Sequence, residues 1–314
     1  MPSGRFAPSP TGGLHLGNLR TALLAWLYAR STGSRFVLRF EDLDAAAVRD
    51  EHYQTQIDDL RALGLDWDSP VVRQTERTGL YDEALARLVE QGCVYPCFCS
   101  RREIREAARA PNDRLAGHRY PGTCTRLTAT ERIERARSRP AALRIRGEGL
   151  SRTVHDELAG SVTVELDDFV VQRNDGTAAY HLAVVVDDAA QGVEQVVRGD
   201  DLVESACRQL LIYELLELPP PQSHVHVPLV LGPGGERLAK RHGAVTLTDR
   251  RARGESAADV LGFLATSIGL SDGGEAVTAP DLLRRFDPVT LAGRAPLNPT
   301  ALPDDYLRPQ SPSS

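Results

Sequence analysis

The sequence predicts an α/β protein built on a doubly wound parallel sheet, and three observations lead to that prediction. A short apolar strand, residues 4–8, is followed by the turn SPTGG and then by a helix. A second apolar strand, residues 34–44, ends in carboxylates. Further strands are predicted at residues 192–202 and 224–232. A βαβ unit of this kind begins a doubly wound sheet, which binds ligands at the carboxyl ends of its strands.

The first half of this sheet domain is assigned to residues 1–92. After Asn18 the apolar residues recur with helical spacing, at Leu19, Leu23, Trp26 and Leu27. Residues 50–64 and 79–92 predict two more helices, the second ending at Gly92 as a C-terminal stop. Strand, glycine turn, helix and strand therefore follow one another in the order that the fold requires.

Residues 93–183 differ in character and are predicted to be an insertion. The stretch 101–152 contains 14 arginines and six acidic residues, a charge of +8 in a chain whose net charge is −6. Ser100 and Glu103 form a capping box that predicts a helix start. Two apolar runs around the turn at 174–176 predict a β-hairpin. A basic surface can steer a polyanion, although a solvated helical face explains the arginines equally well.

The second half of the sheet domain is assigned to residues 184–245. Residues 246–307 are predicted to be a small helical appendage, with helices at 257–268 and 280–286, and residues 308–314 a disordered tail.

Composition excludes several classes of protein. With 41% hydrophobic and 25% charged residues the chain is typical of a soluble globular protein. It contains no apolar run near the ~18 residues of a membrane span, and its first residues lack the features of a signal peptide. The net charge of −6 argues against a protein that coats nucleic acid without specificity. We therefore expect a cytoplasmic monomer that does not contact membranes.

Two motifs indicate contact with an anion. The segment PSPTGGLHLGN places His15 and Gly17 where a glycine-rich loop meets a helix N-terminus, a site whose free N–H groups favour phosphate. Lys240 is the only lysine among 37 basic residues. Because an ammonium is a compact point charge that guanidinium does not replace, a lone lysine in an arginine-biased chain indicates a chemical role. The alternative is chance survival on a solvated loop.

These segments together with VVDDAAQGVEQVVRGDDL resemble the glutamyl class I aminoacyl-tRNA synthetases, with HLGN in place of the HIGH signature and RLAKR in place of KMSKS. The resemblance covers about residues 4–245 in the family's order. It implies a class I synthetase Rossmann fold that activates L-glutamate with ATP and Mg²⁺. Adenylation develops negative charge between two anions, and His15 and Lys240 would supply the catalytic cations.

The resemblance also implies binding roles, position by position. Glu41 would meet the α-ammonium of glutamate and Arg198 would pair one of its carboxylates bidentately; from the residues alone, an Arg39–Glu41 ion pair and a core Tyr180 are the alternatives. The implied glutamate-binding residues are Arg5, Ala7, Ser9, Glu41, Tyr180 and Arg198. The implied ATP-binding residues are Pro8, Thr11, His15, Gly17, Asn18, Arg237, Leu238 and Lys240. Asn18, Arg237 and Ala239 depart from the family signatures, so we expect a weaker grip on ATP.

A cysteine cluster predicts a zinc site. Cys97, Cys99 and Cys124 offer three thiolates for a tetrahedral Zn²⁺ ion, which needs a fourth ligand. His118 is the ordinary chemical choice, whereas a small branch of the family implies Tyr120 through its C-x-C, Y-x₃-C arrangement. The alternative is that the cysteines are free and buried. Cys93 and Cys207 lack partners at suitable spacing and are expected in the core.

The molecule that accepts the activated glutamate is inferred from the length of the chain. Too few residues follow Lys240 for the large helical anticodon-binding region of complete family members. The chain therefore resembles the truncated branch, which transfers glutamate to the queuosine base of tRNA(Asp), and the arginine-rich insertion is expected to face that RNA. Two alternatives stay open: a truncated enzyme that charges a tRNA 3′ end, and a weakly active RNA-binding paralogue, suggested by Arg237 and Ala239.

Overall fold

The computed structural model describes residues 2–100, 102–104, 120–232, 235, 238, 245–272, 274–293 and 300–301. Its strands are β1 (Ser3–Phe6), β2 (Arg35–Phe40), β3 (Val72–Arg73), β4 (Val94–Cys97), β5 (Ala142–Ile145), β6 (Ser151–Asp156), β7 (Gly160–Glu165), β8 (Phe169–Gln172), β9 (Val193–Gly199), β10 (Ser223–Val227), β11 (Val230–Leu231) and β12 (Thr300–Ala301). Its helices are α1 (Leu16–Ser31), α2 (Asp50–Ala62), α3 (Thr78–Glu90), α4 (Ala129–Ser138), α5 (Tyr180–Ala190), α6 (Val203–Leu215), α7 (Leu247–Ala252), α8 (Ala257–Ser267), α9 (Ala279–Arg285) and α10 (Pro288–Gly293).

The main sheet confirms the predicted doubly wound topology. Its strands lie in the order β3-β2-β1-β9-β10-β6-β7, and every neighbouring pair is parallel except β6–β7. The chain winds outward from β1 in one direction through β2 and β3, and later in the other direction from β9. Between β1 and β9 the connections leave in opposite directions, which opens a crevice at the carboxyl ends of these strands.

Helices cover both faces of this sheet. Phe36 and Leu38 of β2 belong to the core that includes α1, whereas Val37 between them belongs to a cluster with Val193 and Val196. Since successive side chains of a strand point to opposite faces, the two clusters lie on opposite sides. Helix α1 is buried along most of its length and also contacts the C-terminal helices, where Tyr28 meets the ring of Phe286 edge-on. Because packing holds α1 in place, it also holds the first residue of the helix and the glycine turn that precedes it.

Of the hairpin predicted around residues 174–176, the turn is present but the second strand is not. The turn forms: Gly176 has a φ of 86°, and Gln172 pairs with Ala178 in an antiparallel bridge. The second apolar run, however, is helix α5 (Tyr180–Ala190) and not a strand. A short continuous apolar run does not distinguish a buried strand from a buried helix. Here the run is buried against α3 and α6, which a helix does equally well.

The predicted insertion is not wholly separate from the main sheet. Strands β4, β5 and β8 form a small antiparallel sheet of their own. Strands β6 and β7 lie within the same stretch of sequence, yet they extend the main sheet: Asp156 of β6 pairs in parallel register with His224 of β10. The stretch 93–183 therefore contributes two strands to the sheet that it was predicted to interrupt.

The C-terminal helices are confirmed, at Ala257–Ser267 and Ala279–Arg285. Each begins with a capping box, Ser256 with Asp259 and Thr278 with Asp281, which satisfies backbone N–H groups of the first turn. The predicted tail, 308–314, lies outside the described residues. In the described part of the chain, no helix combines the length and the apolar character needed to cross a membrane.

Candidate active site and cysteine cluster

A cavity of about 450 Å³ opens at the carboxyl ends of β1, β2 and β9. It brings together eleven of the residues predicted to bind glutamate or ATP, namely Arg5, Ala7, Pro8, Ser9, His15, Gly17, Asn18, Glu41, Tyr180, Arg198 and Leu238. Thr11 is exposed and does not line the cavity. Arg237, Ala239 and Lys240 lie outside the described residues. We call this cavity the inner pocket.

His15 is the N-cap of helix α1 at one side of the inner pocket. Its Nδ1 accepts a hydrogen bond from the Asn18 N–H at 3.2 Å, and the Asn18 side chain accepts from the His15 N–H at 3.3 Å. Because Nδ1 is an acceptor, the ring proton is on Nε2, which can donate. A side chain at Gly17 would place its Cβ 3.1 Å from the imidazole. Glycine therefore leaves the ring in place beside the helix N-terminus.

A cluster of charges of both signs adjoins the inner pocket, which it reaches through Arg5 and Glu41. Arg39 is fully buried and lies 2.8 Å from Asp188, 3.6 Å from Asp187 and 3.5 Å from Glu41. Arg5 contacts Asp188 at 3.5 Å, and Arg77 contacts Asp187 at 2.6 Å. Three arginines thus face three carboxylates, and a buried charge is tolerated when it is paired in this way.

Arg198 is not part of that balance. Its Nε donates to His226 Nε2 at 3.0 Å and its Nη1 to the Tyr180 hydroxyl at 3.4 Å, and both acceptors are neutral groups. Its buried Nη2 has no hydrogen-bond partner among the described residues. No described carboxylate pairs directly with this buried guanidinium, whose charge acts on Asp188 only from a distance. An anionic ligand would supply a direct partner.

Glu41 offers the opposite charge on the other side of the pocket. Its backbone N–H donates to Pro8 O at 2.9 Å, which ties the end of β2 to the loop after β1. Burial raises the pKa of Glu41 above its ordinary value, against the opposing effect of Arg39 and Arg5. A bound ammonium group would stabilise its ionised form. The predicted Arg39–Glu41 ion pair also exists, but it is buried and not exposed.

The described residues on both sides of Lys240 lie at the same pocket. Leu238, two residues before it, lines the cavity and is buried. Val245 accepts a hydrogen bond from the Leu16 N–H at 2.8 Å, and Thr246 pairs with His15 in an antiparallel bridge. The described residues that flank the second signature segment therefore lie near the N-terminus of α1, although they are far from it in sequence.

A larger cavity of about 850 Å³ adjoins the inner pocket and shares Ser9, Glu41 and Tyr180 with it. Most of its other walls come from the stretch 93–183 and include Arg139, Arg144 and Arg173, while Leu43, Asp44 and Gln74 complete the lining. We call it the outer cavity. Tyr180, which is 37% exposed, stands between the two spaces and is not the core tyrosine that the residues alone suggested.

The cysteine cluster lies at the far end of the outer cavity. The sulfur atoms of Cys97, Cys99 and Cys124 are all within 4.8 Å of one another. The Tyr120 hydroxyl joins them, 3.4 Å from Cys97 Sγ and 3.8 Å from Cys99 Sγ. A tetrahedron with Zn–S bonds of ~2.3 Å has edges of ~3.8 Å, so the four groups fit one zinc ion. His118 lies outside the described residues.

The thiol chemistry of this cluster also suits a metal. Hydrogen bonds from Cys99, Tyr120 and Arg144 lower the pKa of Cys97 well below its ordinary value, and the thiolate is the form that binds metals. Arg144 lies 3.9 Å from the ring centroid of Tyr120. Cys207 is fully buried in the core, as predicted, but Cys93 is only half-buried.

Sequence reasoning missed several residues that shape the inner pocket. Asp187 and Asp188 were part of a predicted strand, yet they are the buried partners of Arg39 and Arg5. Two adjacent carboxylates in an apolar segment were the available signal, because buried carboxylates need cationic partners. Asp156 and His226, described below, had no such signal.

The parallel sheet, its ligand pocket at the switch point and the paired signature segments define a nucleotide-binding enzyme domain of the class I synthetase type. The family described as "tRNA synthetases class I (E and Q), catalytic domain" matches residues 3–286. The chain belongs to this family, and it is an enzyme of the ligase type. The resemblance drawn from the motifs alone is thereby confirmed.

Individual relatives agree with this assignment. The Glutamyl-Q tRNA(Asp) synthetase of Nocardia farcinica is 53% identical over 306 residues, which is 97% of this chain and 94% of the relative. The protein of the same name from Cutibacterium acnes is 50% identical over 302 residues, 96% of this chain and 85% of the relative. The crystal structure of a glutamate tRNA ligase from Elizabethkingia meningosepticum superposes with a TM-score of 0.81 at 26% identity, covering 97% of this chain and 68% of that one.

Proposed function

We propose that this enzyme activates L-glutamate with ATP, without needing tRNA, and transfers the glutamyl group to queuosine in the anticodon of tRNA(Asp). In the first step a carboxylate oxygen of glutamate attacks the α-phosphorus and pyrophosphate leaves; in the second an acceptor hydroxyl attacks the glutamyl carbonyl and AMP leaves. The observation that carries the proposal is the buried Arg198, which has no direct ion pair among the described residues, in the same pocket as Glu41. Relatives at 50–53% identity bear a name that states this amino acid and this tRNA.

Glutamate fits the charges of the inner pocket. Its side-chain carboxylate would pair with Arg198 and the Tyr180 hydroxyl, and its ammonium with Glu41. With three arginines already balanced by three carboxylates, Arg198 supplies the positive charge that a net anionic substrate requires. Arg5, Ala7 and Ser9 would complete the walls around the substrate backbone.

ATP would bind at the other end of the inner pocket, as its Mg²⁺ complex. The Nε2–H of His15 and the positive end of the α1 helix dipole favour phosphate oxygens. Pro8, Gly17, Asn18 and Leu238 line this end. We assign the predicted loop residues Arg237 and Lys240 to the triphosphate, and Thr11 to its edge, on the family pattern. No general base is needed in this step, because the attacking carboxylate is already ionised.

The pH dependence of glutamate binding tests the role of Glu41. Only the ionised carboxylate attracts the ammonium, so as the pH falls through the raised pKa of Glu41 the KM for glutamate is expected to rise, approaching about tenfold per pH unit. The measurement is glutamate-dependent ATP–pyrophosphate exchange between pH 5 and 8, with the KM for ATP as the internal control. Glu41→Gln is expected to bind glutamate poorly and to lose this dependence; retention of the wild-type pH profile by that variant contradicts the assignment.

The RNA acceptor would approach through the outer cavity, which adjoins the glutamate position. Three arginines line it, and helix α4 nearby buries none of its side chains although it contains Arg132, Arg135 and Arg137. The partly exposed arginines of α4 suit an RNA backbone. In the cavity wall Arg144 is buried, and Arg139 and Arg173 form ion pairs. The stretch 93–183 would thus form the acceptor side of the enzyme, and the sheet would form the activation side.

Transfer of labelled glutamate decides between acceptors. The enzyme is incubated with ATP and labelled glutamate, with tRNA(Asp) containing or lacking queuosine and with tRNA(Glu). Label only on queuosine-containing tRNA(Asp), resistant to removal of the 3′ nucleotide, supports the proposal. Label on the 3′ end of tRNA(Glu) would assign the chain to ordinary tRNA charging, and absence of exchange without tRNA would favour a weakly active paralogue.

We assign one structural zinc ion to Cys97, Cys99, Cys124 and Tyr120. When bound, zinc would hold the end of β4, with Cys97 and Cys99, against the segment that contains Tyr120 and Cys124. The fit rests on the interatomic distances and on the lowered pKa of Cys97. Burial raises the pKa of Tyr120, so the phenol keeps its proton until a bound cation displaces it.

Loss of one thiol tests this site. Cys124→Ser is expected to remove stoichiometric zinc from the purified protein and to lower the free energy of unfolding by about 3 kcal/mol or more, since metal binding contributes directly to folding. Cys207→Ser is the matched control, because Cys207 is equally buried but outside the cluster. The measurements are elemental analysis and thermal unfolding. Equal zinc content in the two variants would contradict the assignment.

A further inference from the structure

Arg198, His226 and Asp156 form a buried row of hydrogen-bonded side chains, of which sequence reasoning found only Arg198. The Nε of Arg198 donates to His226 Nε2 at 3.0 Å, and His226 Nδ1 lies 2.6 Å from Asp156 Oδ2. All three residues are buried, each with no more than 6% of its surface exposed. The row starts at the inner pocket and ends at a carboxylate on β6, which lies outside the lining of the inner pocket.

Sheet register places these residues side by side. In the parallel pairing of β9 with β10, His226 is directly opposite Arg198. In the pairing of β10 with β6, Asp156 is opposite His224. His224 stacks on His226 with an interplanar angle of 4° and centroids 6.4 Å apart. Three adjacent strands therefore hold the row, and the backbone hydrogen bonds of the sheet determine its spacing.

The protons of this row can be arranged in only one way. Arginine Nε always carries hydrogen, so His226 Nε2 must be the acceptor and the ring proton must lie on Nδ1. That proton is donated to Asp156. Burial lowers the pKa of His226, with Arg198 acting in the same direction and Asp156 opposing it, which agrees with a neutral ring.

Asp156 is itself fixed in place. Its Oδ1 accepts from the backbone N–H groups of Leu158 at 3.0 Å and Ala159 at 2.8 Å. Its Oδ2 accepts from the His226 N–H at 2.9 Å as well as from the ring. Four donors thus surround one carboxylate, which keeps it ionised and prevents it from rotating away.

We propose that Asp156 and His226 are positioning residues for glutamate recognition, because together they fix the tautomer and the orientation that hold the Arg198 guanidinium toward the inner pocket. This inference rests on the proposed function in so far as Arg198 binds the substrate carboxylate. An arginine side chain held at Nε presents its Nη groups in a fixed direction, which reduces the entropy lost when a carboxylate binds. The described contacts leave Nη2 available for that purpose.

Asp156→Asn tests the tautomer. An amide facing the imidazole can donate to Nδ1, which moves the ring proton to Nε2 and places it against the Nε–H of Arg198. We expect the KM for glutamate in ATP–pyrophosphate exchange to rise about 10- to 100-fold, the scale of lost orienting partners at other sites, while the KM for ATP stays within about twofold.

His226→Gln and His226→Asn form a matched pair. The glutamine amide oxygen reaches the position of Nε2 and can accept from Arg198, whereas the shorter asparagine cannot. We expect His226→Gln to retain most of the affinity for glutamate and His226→Asn to lose at least tenfold. Thermal unfolding of all variants shows which are folded, and only these are compared.

Nitrogen-15 NMR of the histidine rings provides a readout that does not depend on activity. Wild-type His226 is expected to be neutral and protonated on Nδ1, and the Asp156→Asn variant on Nε2. Protonation on Nε2 in the wild type would overturn the inference even if the enzyme activates glutamate. So would a folded Asp156→Asn variant with an unchanged KM for glutamate, or equal losses in His226→Gln and His226→Asn. If the wild type binds no glutamate, the proposed function fails, whereas the tautomer result still decides whether the row holds Arg198.

Discussion

Arg198→Ala is expected to lower kcat/KM for glutamate in ATP–pyrophosphate exchange about 10³-fold. The guanidinium is buried, and among the described residues its hydrogen bonds go only to neutral groups. Removing one partner of a buried charge pair costs about 2–5 kcal/mol, because the remaining charge is left without compensation in a poorly solvated place. In the variant that remaining charge is the substrate carboxylate.

Arg198→Lys refines the same experiment. The ammonium keeps the positive charge but loses the planar fork and the Nε–H that His226 accepts. We expect a loss intermediate between wild type and Arg198→Ala, seen mainly in the KM for glutamate. Arg35→Ala removes an exposed arginine at the opposite, amino end of β2 and is the control for a general change in charge. An Arg198→Ala enzyme with a near-normal KM for glutamate would show that another residue binds the carboxylate.

Lys240→Arg is expected to lower the rate of glutamate activation by ~10²-fold or more, the scale of losing a positioned charge at a developing anion. Lys240 lies outside the described residues, but Leu238 before it lines the inner pocket, and Val245 after it accepts a hydrogen bond from the first residue of α1. Arginine keeps the charge, so the variant tests the compact ammonium and not the presence of a cation. The measurement is kcat in ATP–pyrophosphate exchange with both substrates saturating.

Chemical acetylation offers a second test, since Lys240 is the only lysine in the chain. Acetylation of amines is expected to inactivate the wild type, and saturating ATP is expected to protect it. The Lys240→Arg variant has only its terminal amine left to react, so its residual activity should not change and it serves as the control. If Lys240→Arg activates glutamate at a rate within about threefold of the wild-type rate, the lysine has no catalytic role.

Most of the first half of the fold could be predicted because its signals are local. The strand at Ser3–Phe6, the glycine turn and the apolar stripe of α1 each lie within a few residues, and His15 stands at the helix N-terminus where the sequence placed it. The proximity of Cys97, Cys99 and Cys124 could likewise be predicted, because their spacing in the sequence is typical of a metal-binding group. Motif order then defined the family.

Prediction failed where only tertiary packing decides. The residues of α5 are apolar without a clear period, so burial against α3 and α6 and not propensity selects the helix. His226 and Asp156 are 70 residues apart and meet only because β10 lies beside β6. Strand neighbourhood across a long connection is not encoded in any local pattern, and neither is the pairing of Arg39 with Asp188.

The addition of β6 and β7 to the main sheet limits how this protein can change during evolution. An inserted domain that is joined to the rest of the protein only by two linkers can be exchanged as a whole between related proteins. Excision of residues 93–183, in contrast, would leave β10 as an unpaired edge strand, which promotes aggregation. It would also remove Asp156, whose carboxylate is hydrogen-bonded to His226. The stretch that we propose contacts the RNA and the sheet that carries the inner pocket must therefore be inherited as one unit, so that a new acceptor would be acquired by changing residues within the stretch and not by replacing it.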